Sequence, residues 1–400
     1  MKNNHLITIL ILLLFCSNKL SAQIKASDFR AKADVTTLKY PTGVNIADMD
    51  GDGKKDVIIA NEGIAFFSVY RNTVAANADI SSATFASSAN FSTGNNSVET
   101  LIVADMNQDG LPDVLACSYS NNLLCLFRNI SVPGAVAFAT RTNINLGYYM
   151  HNIAAGDING DGLPDLAVVN SDAGTVTLYR NTSTSTTVSF ATGYNIPVGG
   201  NPTSVTLTDL DGDNKLDMAV LLHDKALVSV YRNISAAGAT TIDSTTFATR
   251  QDIATEAGAY AMAAADMNND NKPDLAITNI NDQNTVSIFP NTSVSGTVSF
   301  ATQANFATGT HPLSIKLADI NGDGKPDIIT GNWTSAGTIS VLQNSTVSGG
   351  TIMSFYPQVS LTAGGTPQAV AVADMNADSK PDIVSANSYS STFSVLEYKP

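Results

Sequence analysis

The nonapeptide DINGDGLPD at Asp157–Asp165 limits what this chain can fold into more than any other stretch, because the pattern occurs seven times. It begins again at Asp48 (DMDGDGKKD), Asp105 (DMNQDGLPD), Asp209 (DLDGDNKLD), Asp266 (DMNNDNKPD), Asp319 (DINGDGKPD) and Asp374 (DMNADSKPD), at intervals of 52 to 57 residues. Positions 1, 3 and 5 offer side-chain oxygens, position 7 can turn its carbonyl inward, and position 9 closes the ring, which makes an oxygen cage suited to Ca2+. Candidate ligands are Asp48, Asp50, Asp52, Lys54 and Asp56 in the first loop, and Asp105, Asn107, Asp109, Leu111 and Asp113 in the second. They are Asp157, Asn159, Asp161, Leu163 and Asp165 in the third, and Asp209, Asp211, Asp213, Lys215 and Asp217 in the fourth. The last three loops offer Asp266, Asn268, Asp270, Lys272 and Asp274, then Asp319, Asn321, Asp323, Lys325 and Asp327, then Asp374, Asn376, Asp378, Lys380 and Asp382. The lysines and leucines enter these sets through their backbone carbonyls. Gly162 at position 6 permits the positive φ of a tight wrap, and Pro164 keeps the chain extended before the closing Asp.

An EF-hand would need a bidentate Glu at position 12 and flanking helices. Position 12 is instead Ile59, Ala116, Val168, Val220, Ile277, Thr330 or Ser385, and flanks such as VTLT and LAVVN are β-branched. Each loop therefore joins two strands. Between loops every unit repeats four strand-like runs, D, A, B and C in chain order; in the third unit these are VAFATRTNI, NIAAG, PDLAVVN and TVTLYRN. Four antiparallel strands at this period make a propeller blade, so the expected fold is an all-β, seven-bladed β-propeller of four-stranded antiparallel blades.

Run A, which carries a small residue before each loop (Ala47, Ala104, Gly156, Thr208, Ala265, Ala318, Ala373), is expected innermost. The apolar residue at loop position 2 (Met49, Met106, Ile158, Leu210, Met267, Ile320, Met375) is expected to pack between blades. Residues 23–400 open with SDFRAKADV, a D run, and end with TFSVLEY, a C run, so the N-terminal strand should pair into the last blade and close the ring. Closure of this kind leaves no second domain after Pro400 in the expected organisation.

Residues 1–22, with an apolar block from Leu6 to Phe15 and Ser21-Ala22 at the end, have the layout of a secretory signal peptide. Bulky Phe15 before Cys16 argues against lipidation, and the absence of any apolar run of ~20 residues after the leader implies an exported protein with no transmembrane segment. The formal net charge is −14, but 23 of the 35 acidic residues lie inside the loops, so the acidity is mostly metal-site chemistry. No basic cluster supports nucleic-acid binding. Cys117 and Cys125 fall on neighbouring strands of one hairpin, either as a cross-strand disulfide or as two buried thiols.

The pattern D-x-[DN]-x-D-G-x-P-D between two strands at a blade-sized period resembles the FG-GAP/VCBS repeats of the integrin α-subunit propeller and its bacterial relatives. That resemblance implies Ca2+ loops, up to seven and structural, at the A-to-B turns on one face, with partner binding commonly on the other. Loops at Asp48, Asp157 and Asp319 keep Gly at positions 4 and 6, whereas Ala377 and Ser379 replace both in the last loop, the expected weakest site. The sequons at Asn129, Asn181, Asn233 and Asn291 read as turn residues ending run C, and Arg71, Arg128, Arg180 and Arg232 before an Asn in that turn are expected to pair with loop carboxylates.

D-to-A and B-to-C turns then share the face opposite the loops. His151, His223, His311 and the only tryptophan, Trp333, map there with Tyr119, Tyr148, Tyr149, Tyr260 and Tyr389. Aromatics over one face of a ring suit stacking on sugars or anchoring a protein. The leading expectation is thus a monomeric, secreted, non-catalytic module that binds an extracellular glycan or surface protein, with Trp333, Tyr148, Tyr149, His151, His223, Tyr260 and His311 as ligand-binding residues. A polysaccharide-degrading enzyme is the rival, drawing on Glu62, Glu99, Asp172, Asp224, Glu256 or Asp282 if two converge in a deep axial pocket. A structural subunit of a surface assembly is the third class, and it would expose a large apolar patch.

Overall fold

A computed structural model of the chain describes residues 22–94, 97–118, 122–146, 150–281 and 283–400. The leader expectation for residues 1–22 therefore falls almost wholly outside the described residues, as do Tyr119, Tyr148, Tyr149 and Asp282. The described strands form seven four-stranded antiparallel sheets arranged as a seven-bladed propeller. In the first blade the order is Pro41–Ala47, Asp56–Asn61, Phe66–Tyr70 and Ala89–Ser92, from the axis outward. Five further blades repeat that order, each beginning on an inner strand: Val98–Ala104, Met150–Gly156, Pro202–Thr208, Ala259–Ala265 and Pro312–Ala318. The inner strands pack against one another around the axis, as expected for run A.

The seventh blade contains Pro367–Ala373, Asp382–Asn387 and Thr392–Leu396, and its outer strand is Ala33–Thr36 from the other end of the chain. Val35 lies opposite Phe393 and Ala33 opposite Val395 in that pairing. The phase of the repeats thus closes the ring as expected, and the seventh blade gains its outer strand from the other end of the chain.

Second strands such as Asp165–Asn170 are buried along their whole length, because a blade is covered on both faces by its neighbours. The core is accordingly divided into seven apolar clusters, each between two adjacent blades. Met49, Met106, Ile158, Leu210, Met267, Ile320 and Met375 are all essentially inaccessible, so loop position 2 does pack between blades. Ile24 and Phe29 enter the cluster between the sixth and seventh blades, where the N-terminal segment crosses.

Cys117 lies opposite Leu124, and Cys125 lies opposite Ala116. That register is one residue away from direct pairing and turns the two thiols to opposite faces of the sheet. Both are free and buried, each in a different inter-blade cluster, so the disulfide alternative is excluded by geometry.

Candidate metal loops and the axial chamber

The loops are built by their own carboxylates. Asp48 accepts the backbone N–H of Gly51 and Asp52 through Oδ1 and that of Gly53 through Oδ2, while Asp52 accepts from Lys54. The bonds from positions 5 and 6 recur in the other loops, for instance Asp157 with Asp161 and Gly162, and that from position 4 recurs at Gly160 and Gly212. This wrap needs positive φ at positions 4 and 6, found at Gly51 (73°) and Gly53 (86°) and forced on Ala377 (57°) and Ser379 (67°) in the last loop. A side chain held in that region costs about 1–3 kcal/mol, so the last loop is the most strained.

The closing Asp is buried in every loop. Asp56 Oδ2 accepts from Met49 N at 2.9 Å and Oδ1 from Asn72 N at 2.8 Å, tying the loop to the end of the third strand. Burial, only partly offset by these N–H donors, pushes the Asp56 carboxyl up to about 6 and that of Asp274 up to about 7. Oxygens of Asp48, Asp50 and Asp56, and likewise of Asp209, Asp211 and Asp217, lie within 4.8 Å of one another. Convergent hard oxygens, a buried carboxylate and a wrapped backbone fit a Ca2+-type cation. The other loops have Asn in place of the position 3 carboxylate.

Position 3 is where adjacent blades meet. Asp50 accepts from Gly134 N at 2.9 Å and Asp211 from Gly296 N at 2.8 Å, each on the C-to-D turn of the following blade. Where that turn offers a carbonyl instead, position 3 is Asn: Asn107 donates to Ser185 O, Asn159 to Ala239 O, Asn268 to Gly350 O and Asn376 to Ala78 O. In these six loops the Asp/Asn choice is therefore matched to the neighbour's hydrogen-bonding sense, whereas Asn321 in the sixth bonds Asp323 of its own loop. Arg71 pairs with Asp50 at 2.5 Å, and Arg128, Arg180 and Arg232 lie 3.8–3.9 Å from loop carboxylates, on the face expected for them.

The sequon asparagines do more than end a strand. Asn181 is fully buried; its side chain donates to Met106 O of the preceding blade at 2.9 Å and to Pro164 O at 2.8 Å, and accepts from Ser183 N. Asn72, Asn129, Asn233, Asn291 and Asn344 make the equivalent inter-blade bond. Reading these residues as turn formers missed that staple; the signal was an Asn at one fixed place in six consecutive units.

On the opposite face the backbone register shifts just after the first residue of every inner strand. A bulge breaks the alternation of side chains and re-aims one of them. The residues set there are Thr42, Glu99, His151, Thr203, Tyr260, Leu313 and Gln368, and all seven line one axial chamber of about 360 Å3. Several are linked around the ring: Thr42 Oγ1 donates to Glu99 O, and Thr203 Oγ1 to Tyr260 O. His151 Nδ1 lies 3.0 Å from Thr203 O, an acceptor only, so Nδ1 carries the proton and Nε2 accepts from the Tyr260 hydroxyl at 3.3 Å. Burial lowers the pKa of His151 and raises that of Tyr260.

His151 and Tyr260 therefore belong to inner strands rather than to turns, because the bulged first turn of each strand is already extended backbone. His223 joins them, its ring 6.2 Å from that of Tyr260 and its Nδ1 2.8 Å from Ala259 O. His311 and Trp333 form a separate edge-on pair with ring centres 6.4 Å apart, and Trp333 is 46% exposed. The aromatic residues are thus split into two groups. Of the described acidic residues considered for catalysis, only Glu99 lines the chamber. Asp224 holds Asn201 N and Lys225, and Glu256 is bonded by Gln283, Gln303 and Asn305.

A family model described as FG-GAP-like repeat matches residues 48–116, 105–168, 157–220 and 266–330, together more than half of the chain. The chain belongs to the FG-GAP-like repeat family. No curated protein matches the sequence. Among solved structures, BBS1N in complex with ARL6DN is similar, with a TM-score of 0.60 at 12% identity over 92% of this chain and 96% of that one. A catalytically inactive virginiamycin B lyase from Staphylococcus aureus with quinupristin has a TM-score of 0.52 at 14% identity, covering 92% and 99%. At such identities these likenesses establish the fold alone.

The matched FG-GAP-like segments stop before the loop at Asp374, and the geometry there departs too. Tyr398 stands where the other blades carry the staple Asn, keeping only the backbone bond to Asp382 Oδ1. Glu397 replaces the preceding Arg. It is 2% exposed and accepts from Asn376 Nδ2, Ile80 N, Lys399 and Arg30. The last FG-GAP-like unit is thereby held by ion pairs at the seam instead of by an amide staple.

Proposed function

We propose that this is a secreted calcium-binding propeller that acts as a non-catalytic binding module for extracellular glycans or surface proteins. The observation that carries the reading is the contrast between its faces. Loops on one face are locked to their neighbours through Asp50–Gly134 and its counterparts, whereas the inner strands enclose a polar chamber and the turns after the second strands expose Trp333 and Tyr389. Ca2+, when bound, would neutralise the clustered loop carboxylates and stabilise the A-to-B turns. Asp48, Asp50, Asp52, Asp56 and the Lys54 carbonyl would hold it in the first loop, with the equivalent residues elsewhere. A propeller of the same fold, BBS1N, is seen with a protein partner, which supports a binding role for such a ring. Exposed large apolar side chains, such as Ile130, Val132, Val294 and Ile352, are spread over the turns of several blades, which favours a free module over a structural subunit.

A polysaccharide-degrading enzyme is the second reading, favoured by the Tyr260–His151 bond beside Glu99. Against it, burial disfavours both the Tyr260 phenolate and the His151 cation, and among the described acidic candidates Glu99 alone lines the chamber. A glycan array probed with and without Ca2+, and repeated with Trp333→Ala, tests the binding reading. Calcium-dependent binding weakened at least tenfold by the substitution is expected. Release of new reducing or unsaturated ends from a bound polysaccharide would replace it with the catalytic one.

A further inference from the structure

Among the described residues that line the axial chamber, Lys316 is an ammonium with no ion-pair partner. Lys316 projects from the inner strand Pro312–Ala318, between Ile315 and Leu317, where its neighbours pack against adjacent blades. Its side chain is solvent-exposed and lines the chamber, where partial desolvation lowers the pKa of the ammonium. Among the described residues the ammonium has no ion-pair or hydrogen-bond partner. An ammonium with no ion-pair partner on the wall of a polar chamber is placed to make a charge-assisted hydrogen bond to an anion.

The rest of the lining reads hydroxyl groups. Asn45, Asn152 and Gln368 bring amides that both donate and accept, Ser204 and Thr100 bring hydroxyls, and Glu99 is an acceptor on the second blade, across the ring from Lys316 on the sixth. Glu99 would turn a second carboxylate away and accept from hydroxyls instead. A volume of about 360 Å3 is at the low end of small-ligand sites, which run from about 300 to 1,000 Å3, and suits one sugar ring better than a polymer segment. The deeper inner-strand residues Ile46, Val103 and Leu317 are apolar, so the polar part faces the side opposite the metal loops.

We infer that the axial chamber binds the terminal residue of an acidic saccharide, with the sugar carboxylate on Lys316 and its hydroxyl groups on Asn45, Asn152, Gln368 and Glu99. This rests on the glycan-binding reading above and names the ligand class. His151 and Tyr260, already bonded to each other, form a neutral wall that the sugar ring can lie against.

The test is calorimetric titration of the calcium-loaded protein with D-galacturonate and D-glucuronate, with D-galactose and D-glucose as neutral counterparts and with acetate and sulfate as simple anions. A uronate is expected to bind at least tenfold more tightly than its neutral counterpart and than either simple anion. Lys316→Met should remove that preference without lowering the melting temperature, since it keeps an unbranched apolar stem and deletes an ammonium that has no ion pair or hydrogen bond among the described residues. Lys316→Arg, which keeps the charge, should retain binding. Equal affinity for acetate or sulfate would reduce the chamber to an anion site and overturn the saccharide assignment. Uronate binding that survives Lys316→Met would overturn the placement. If no uronate binds while a glycan array still shows Trp333-dependent binding, this inference fails and the broader reading stands; if the array is also blank, both fail.

Discussion

Asp50 of the first loop accepts the Gly134 amide of the second blade at 2.9 Å, whereas Asn107 of the second loop donates to the Ser185 carbonyl of the third at 3.1 Å. A loop residue that also belongs to a metal cage is thus chosen by what the next blade presents. Asn159→Asp would set a carboxylate against the Ala239 carbonyl, now 2.6 Å from the amide nitrogen. In excess chelator this should destabilise the fold by about 1–3 kcal/mol, the cost of a buried unmet acceptor. Chemical denaturation of the two proteins side by side checks it, and equal midpoints would show that position 3 answers only to metal.

Removal of a staple should cost more. Asn181→Ala leaves the Met106 and Pro164 carbonyls and the Ser183 amide without their partner in a dry site. About 2–5 kcal/mol is expected from several unmet groups together. A fall in melting temperature no larger than that of a surface Asn→Ala control would contradict the staple.

The thiols should behave as core atoms. Cys117 and Cys125 point to opposite faces and burial raises both pKa values, so neither should react with iodoacetamide in the native protein and both should react once it is unfolded. A mass two hydrogens short, with no free thiol after denaturation, would mean that the register is wrong.

The closing aspartates set the pH dependence. Their folded pKa values, about 6 for Asp56, Asp113, Asp165 and Asp217 and about 7 for Asp274, Asp327 and Asp382, lie above the unfolded value of 3.8. Between these values the folded chain holds protons that the unfolded chain has released, so metal-free stability should be greatest near pH 4 and fall as pH rises to 7. Saturating Ca2+ replaces those protons and should reverse the slope. Melting curves in chelator and in Ca2+ across that range test this; parallel pH profiles would mean that these carboxylates bind no metal.

Much of the fold was legible because its signals are periodic and local. Seven loops at a blade-sized interval, small residues before them and matching D and C runs at the two ends are enough to place Ala33–Thr36 beside Thr392–Leu396. Contacts that cross between blades were not. Asn129 reads as a turn residue in any short window, and only the ring brings Met49 O to its side chain. Asp50 and Asn107 look like interchangeable oxygen donors until Gly134 and Ser185 are seen beside them. The chamber was hidden for a related reason: a bulge interrupts the two-residue period, so Glu99 and His151 look like breaks in an apolar run when they are the residues aimed at the axis. Polar residues recurring early in the inner strands, from Asn45 through Asn152 and Ser204 to Gln368, were the available signal.

The central claim is that the acidic loops hold calcium and thereby stabilise the ring, and the most direct measurement is anomalous scattering from crystals grown in Ca2+, paired with a melting curve in excess chelator. Density is expected within the loops at Asp48 and Asp209, where three carboxylates converge, with oxygen distances of about 2.3–2.6 Å and a marked fall in melting temperature on chelation. Empty loops in saturating calcium, with a melting curve that chelator leaves unmoved, would contradict it.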